Sequence, residues 1–206
     1  IRLHRSSCDS SVGIRRGTMP SYLGIDASLE GTGLCLVSDA GLVLRSTTVL
    51  PHGLRDMARL AMIKTATASF MDDADTVLAA VEGYAFGAVN QAFSLGEIGG
   101  ILRLLVHERG VLRVDVPPVS LKKWATGRTS ADKDEMVAAA ITDGARPGDH
   151  NQADAYFLAR IALAISVDNL VVRPRERAKL EVLRSLTNPK PQKTKLRPRS
   201  LVKNPV

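Results

Sequence analysis

Tyr22-Leu23-Gly24-Ile25-Asp26 is an apolar run ending on a carboxylate, and Leu34-Cys35-Leu36-Val37-Ser38 answers it a few residues on. Both have strand length, and a third run, Gly41–Thr48, follows the turn Asp39-Ala40-Gly41. Three successive strands on short connections predict an antiparallel start to a sheet. Downstream the period changes. Leu54–Phe70 has helical spacing, with Met57, Leu60, Ala61 and Ile63 on one side. Thr76–Val81 is a short continuous apolar run ending in Glu82, the pattern of a buried central strand. Gln91–Glu108 is predicted as a second helix and Val111–Val116 as another strand, stopped by Pro117-Pro118. Further helices are expected near Asp132–Ile141 and Asn151–Val167. This order predicts an α/β fold with a mixed five-stranded sheet, three antiparallel strands then parallel additions, flanked by helices.

The 206 residues, 45% of them hydrophobic, fit one globular domain with tails. No apolar run reaches the roughly 18 residues that span a bilayer, and no charged-then-apolar signal opens the chain. No membrane partner is expected. Two cysteines, Cys8 and Cys35, are too few for a disulfide framework or a Cys-rich zinc site. Cys35 reads as a buried free thiol, and the setting as reducing and cytoplasmic.

The net charge of +7 is uneven. Residues 1–18 carry four Arg and one acid, and residues 171–206 carry eleven Lys/Arg against two Glu. Residues 19–170 hold thirteen basic and eighteen acidic side chains. Residues 1–18 are read as a non-native or disordered leader, with Met19 as the natural start, and 19–170 as the folded domain. Residues 171–206 are read as a basic, largely disordered tail, most clearly from Asn188 onward. Basic arms on an acidic domain either solubilise it or bind a polyanion, releasing counterions from its phosphates.

Asp26 ends the first strand, Glu82 ends the fourth, and Asp154 lies in the first turns of the last helix. Carboxylates gathered in one place repel each other and are forced toward protonation unless a cation neutralises them. An oxygen-only ligand set selects Mg²⁺ or Mn²⁺ over zinc. Two such ions about 4 Å apart can activate a water and stabilise the leaving oxygen in an in-line attack on a phosphodiester.

Leu23-Gly24-Ile25-Asp26-Ala27-Ser28, then Thr32-Gly33, resembles the opening of RuvC-type Holliday-junction resolvases. Val81-Glu82-Gly83-Tyr84-Ala85-Phe86 resembles that family's second acidic motif, and Leu95-Gly96-Glu97-Ile98-Gly99-Gly100 the helix after it. Leu121-Lys122-Lys123-Trp124-Ala125-Thr126-Gly127 and Ala131-Asp132-Lys133-Asp134-Glu135 look like its Lys-bearing region, especially in the phage-like branch. Asn151-Gln152-Ala153-Asp154-Ala155 is similar to the start of its last acidic helix. The matches run in the family's order over about residues 21–165. The resemblance implies an RNase H-like fold, a homodimer, a divalent metal, and paired nicks across a four-way DNA junction.

On that pattern Asp26, Glu82 and Asp154 are metal ligands. The fourth position is open among Asp149, His150 and Asn151. Asp149 is expected to reach in from the loop before the helix, or else to cap that helix. Lys122 and Lys133 fall on the family's lysine pattern, where a cation would hold the scissile phosphate; otherwise they are solvated lysines on helix surfaces. Lys123 and Arg128 read as plain phosphate contacts. Tyr84 and Phe86 either stack on unpaired bases at a branch point or pack in the core. Phe93, Trp124 and Phe157 read as core. Gly96, Gly99 and Gly100 permit close approach on Gln91–Glu108, either to a second copy or within the monomer.

Other readings are a nuclease acting on flaps, forks or RNA–DNA hybrids, and a non-catalytic branched-DNA binding protein. The actin-like and sugar-kinase group also opens with an aspartate-ended strand. It needs two such domains and a second Asp-Gly phosphate loop, which this chain does not offer.

Overall fold

The computed structural model describes residues 19–83 and 92–166, with Val182, Leu183, Ser185 and Leu186. Five strands form one sheet: β1 (Pro20–Asp26), β2 (Thr32–Ser38), β3 (Val43–Val49), β4 (Asp75–Glu82) and β5 (Leu112–Val116). Their order is β3-β2-β1-β4-β5. β1 pairs antiparallel with β2, and β2 with β3, while β4 joins β1 and β5 joins β4 in parallel. The parallel pairings need crossovers, supplied by helices α1 (Asp56–Met71) and α2 (Ala92–Glu108). The expected mixed sheet is the one found.

The pleat sends successive side chains to opposite faces and so makes two apolar layers. Leu23, Ile25, Leu34, Leu36, Ala79 and Val81 meet Leu60 and Ile63 of α1 and Ile98 and Leu102 of α2. Tyr22, Cys35, Val37, Leu78, Ala80 and Val114 face the other way. There they meet three more helices, α3 (Pro118–Thr126), α4 (Lys133–Thr142) and α5 (His150–Ser166). The alternation Tyr22, Gly24, Asp26 and Leu78, Ala80, Glu82 turns both strand-end carboxylates toward the α5 side.

Two glycines bring α5 onto the sheet. A Cβ on Gly24 would lie 1.9 Å from the Ala155 carbonyl oxygen and 2.5 Å from the Ala159 amide nitrogen. One on Gly33 would lie 2.1 Å from the Asn151 carbonyl oxygen. Only a residue without a side chain lets backbone approach backbone this closely. Asp154 therefore rides on a helix seated directly over β1 and β2.

Some expectations are corrected. Phe93, read as core, is 88% exposed, because it sits in the first turn of α2 on the face turned from the sheet. Trp124 and Phe157 are buried as expected. Cys35 is buried and free, and burial pushes its thiol up to about 12, so it stays protonated at neutral pH. Pro117-Pro118 reads in sequence only as a stop, yet α3 begins there with Pro118 at its first position, where the missing N–H costs nothing. Val182, Leu183 and Leu186 are buried in the α5-side layer, an apolar group that a purely basic reading of 171–206 leaves unexplained.

Candidate active site

β1 and β4 run in parallel with Ile25 opposite Val81, so Asp26 and Glu82 end side by side. Their carboxyls share a hydrogen bond, which raises Asp26 and lowers Glu82. Burial is the main force pushing the Asp26 carboxyl well above its ordinary value, and the charges of Glu82 and Asp154 push the same way. Burial also raises Glu82, opposed by the Asp26 hydrogen bond and the Lys122 charge. Asp154 is pushed up to about 7, first by burial and then by Glu82, with Lys122 and Lys133 opposing. Asp26 feels Glu82, Asp154 and Lys133, Glu82 feels Asp26 and Lys122, and Asp154 feels Glu82 and both lysines, as a shared site requires.

Asp154 Oδ1 is buried and accepts no hydrogen bond within the described residues. Buried oxygens without a partner are costly, and they mark places where something else binds. Among the described residues, no three Asp, Glu, His or Cys side chains already stand as a ready-made metal cage. What is built is a hydrogen-bonded Asp26–Glu82 pair with Asp154 within electrostatic reach. An all-oxygen set with one unpartnered buried oxygen fits a hard divalent cation.

Asp149 is not brought into this group. Its Oδ2 accepts from Thr48 Oγ1 at 2.6 Å and its Oδ1 from the Gln152 amide at 2.9 Å. Oδ2 is thus engaged by β3 and Oδ1 by the first turn of α5, which begins at His150 and which the residue caps. Of the two roles expected for Asp149, the metal-free structure shows the capping one. Lys133 Nζ instead contacts His150 Nε2 at 2.9 Å.

Arg128, exposed before α4, pairs with Glu135 at 2.6 Å, and Lys123 is half-buried on α3. Tyr84 and Phe86 lie outside the described residues. Sequence reasoning missed Arg103 of α2, whose Nη2 donates to the Glu82 carbonyl at 3.0 Å while Nε pairs with Asp115 at 2.7 Å. That guanidinium ties the end of β4 to β5. Nothing in the helical spacing around Arg103 signals it. The glycines at 24 and 33 do carry a signal, because glycine inside a strand marks a place where another backbone comes close.

Carboxylates at the ends of the first and fourth strands and on the last helix, around a sheet of order β3-β2-β1-β4-β5, define an RNase H-like nuclease. The family described as Crossover junction endodeoxyribonuclease RuvC matches residues 22–166. Curated relatives agree. The RuvC of Chloroflexus aggregans is 29% identical over 145 residues, 66% of this chain and 88% of that protein. The RuvC of Synechococcus sp. is 25% identical over 129 residues, 59% and 81%. The solved Thermus thermophilus RuvC structure superposes with a TM-score of 0.59 at 22% identity, covering 71% of this chain and 93% of the other. The chain belongs to the RuvC family of crossover junction endodeoxyribonucleases, which resolve Holliday junctions with a divalent metal. Among the described residues no helix is long and apolar enough to cross a membrane.

Proposed function

We propose that Asp26, Glu82 and Asp154 are the ligands of Mg²⁺, with Mn²⁺ able to substitute, and that the chain nicks opposing strands of a four-way junction as a homodimer. The observation that carries this reading is the buried Asp154 Oδ1, without a partner among the described residues, beside the Asp26–Glu82 pair. Bound there, the metal supplies activation of a water and stabilisation of the leaving oxygen. The chain's own groups do the rest. On cation binding the proton shared by Asp26 and Glu82 would leave to solvent, freeing oxygens of both carboxylates to hold the ion. Lys122 and Lys133, whose charges already reach the carboxylates, hold the scissile phosphate and offset charge that develops on it. Lys123 and Arg128 contact neighbouring phosphates, and Tyr84 and Phe86 stack on bases at the branch point.

The dimer face is α2. Phe93, Gly96, Gly100 and Leu104 share one side of that helix. Phe93 and Leu104 are exposed, and a Cβ on either glycine would meet nothing within 4 Å. Gly99, by contrast, is buried within the monomer. A two-fold dimer places one site on each opposing strand of a junction with similar symmetry. The T. thermophilus RuvC has been solved with a Holliday junction substrate, which supports the same substrate here. Residues 171–206 add sequence-nonspecific affinity for DNA, and the Lys-bearing stretch supports kinship with the phage-like branch. An intracellular setting follows from a DNA substrate.

The test is incubation of synthetic four-way, three-way, flap and linear DNAs and an RNA–DNA hybrid with wild type and Asp26→Asn, in Mg²⁺ and in EDTA. Cleavage of the four-way form by wild type in Mg²⁺ alone is expected. Preference for flaps or hybrids would reassign the substrate, and binding without cleavage would make the chain a junction-binding protein.

A further inference from the structure

We propose that His150 is a positioning residue, whose imidazole holds the Lys133 ammonium beside the carboxylate cluster by accepting a hydrogen bond at Nε2. The two nitrogens are 2.9 Å apart. An ammonium has only donors, so the lone pair belongs to Nε2 and the ring proton to Nδ1.

Local helix energetics do not explain where Lys133 sits. It is the first residue of α4, directly after the capping box of Asp132 and Glu135. His150, its partner, is the first residue of α5. Helix N-termini carry partial positive charge, so a cation at two of them gains nothing from either. Asp134 and Glu135 already supply the acid that the first turn of α4 prefers. The cluster explains the placement, because the Lys133 charge reaches both Asp26 and Asp154.

The kind of partner matters. Lys133 is exposed on a long flexible stem, so its ammonium stays in place only if something holds it. A carboxylate partner would hold it and cancel its charge. An imidazole that accepts at Nε2 holds it and leaves the full charge for a phosphate oxygen. It also keeps the ammonium from being driven off when a divalent cation of like charge enters. This inference rests on the proposed nuclease site, and it makes His150 act through Lys133 rather than as a metal ligand.

The experiment uses the full chain as wild type, His150→Ala, His150→Gln, Lys133→Ala and the double alanine variant. With a four-way junction, His150→Ala should lower kcat about 10-fold or more, the scale of a displaced positioning contact. KM and the Mg²⁺ half-saturation should stay within about twofold. His150→Gln, which restores an acceptor, should recover most of the loss. The double variant should be no slower than Lys133→Ala alone. Ring ¹⁵N shifts of the metal-free protein should show His150 as the Nδ1–H tautomer. Additive losses, a raised Mg²⁺ requirement, or an Nε2–H tautomer each overturn the proposal. Wild type that leaves the junction intact would sink the nuclease reading instead, and the tautomer would still judge the contact.

Discussion

Replacing Asp154 by Asn should make the metal-free protein more stable at pH 8. In the folded chain Asp154 keeps its proton to about pH 7, against an ordinary value of 3.8. Between those values the folded state binds more protons than the unfolded one. Stability contributed by this group therefore falls as pH rises through that window and levels off above it. At 1.36 kcal/mol per pKa unit, the gap amounts to roughly 4 kcal/mol. Asn is neutral at every pH and escapes this penalty. Leaving its buried amide imperfectly bonded costs about 1–3 kcal/mol, so charge removal wins at pH 8. The net gain of about 1–3 kcal/mol corresponds to a Tm increase of about 2–10 °C for a domain of this size. Near pH 4 the advantage vanishes and the amide cost remains, so wild type should melt higher. Circular-dichroism melts in EDTA at both pH values measure this. Added Mg²⁺ should then raise the wild-type Tm more than the variant's, since a ligand stabilises the state that binds it. If wild type melts at or above Asp154→Asn at pH 8 in EDTA, or if the difference does not change with pH, the carboxylates do not share a site.

Gly24→Ala would push a methyl into the α5 backbone at Ala155 and Ala159. With no flexible side chain to yield, it should cost about 3 kcal/mol or more and abolish cleavage; a melt within about 2 °C of wild type would contradict the close approach. Phe93→Ser with Leu104→Arg should turn a dimer into monomers in sedimentation while leaving the monomer's Tm nearly unchanged. A dimer that persists would place the interface elsewhere. Truncation after Thr187 spares the buried Val182, Leu183 and Leu186 but removes six Lys/Arg and no acid. Binding to junctions should weaken, and the slope of log K against log salt should flatten by up to about 5, at about 0.9 for each phosphate no longer neutralised. Unchanged affinity and slope would deny the tail a DNA role.

The sheet was legible because each strand announced itself through an apolar run of the right length, and Asp39-Ala40-Gly41 fixed the hairpin. The carboxylates at Asp26 and Glu82 were legible because strand periodicity ended on them. Capping by Asp149 was one of two roles its position suggested, but its bond to Thr48, a residue 101 positions away in sequence, was not legible. Phe93 misled because helical spacing says which residues share a face, not which face meets the sheet. α3 was hidden by its double proline, which ends a strand and starts a helix equally well. The Lys133–His150 contact and the Arg103 anchor join side chains from different elements, and only tertiary structure reveals such pairs.

Divalent-ion binding by the chain itself, without DNA, tests the central claim most directly. Mn²⁺ titrations followed by electron paramagnetic resonance would compare wild type with Asp26→Asn, Glu82→Gln and Asp154→Asn. Each single substitution should weaken binding at least about 10-fold, because each removes a charge from one set of ligands. Variants that bind Mn²⁺ as tightly as wild type would show that these three side chains hold no common ion.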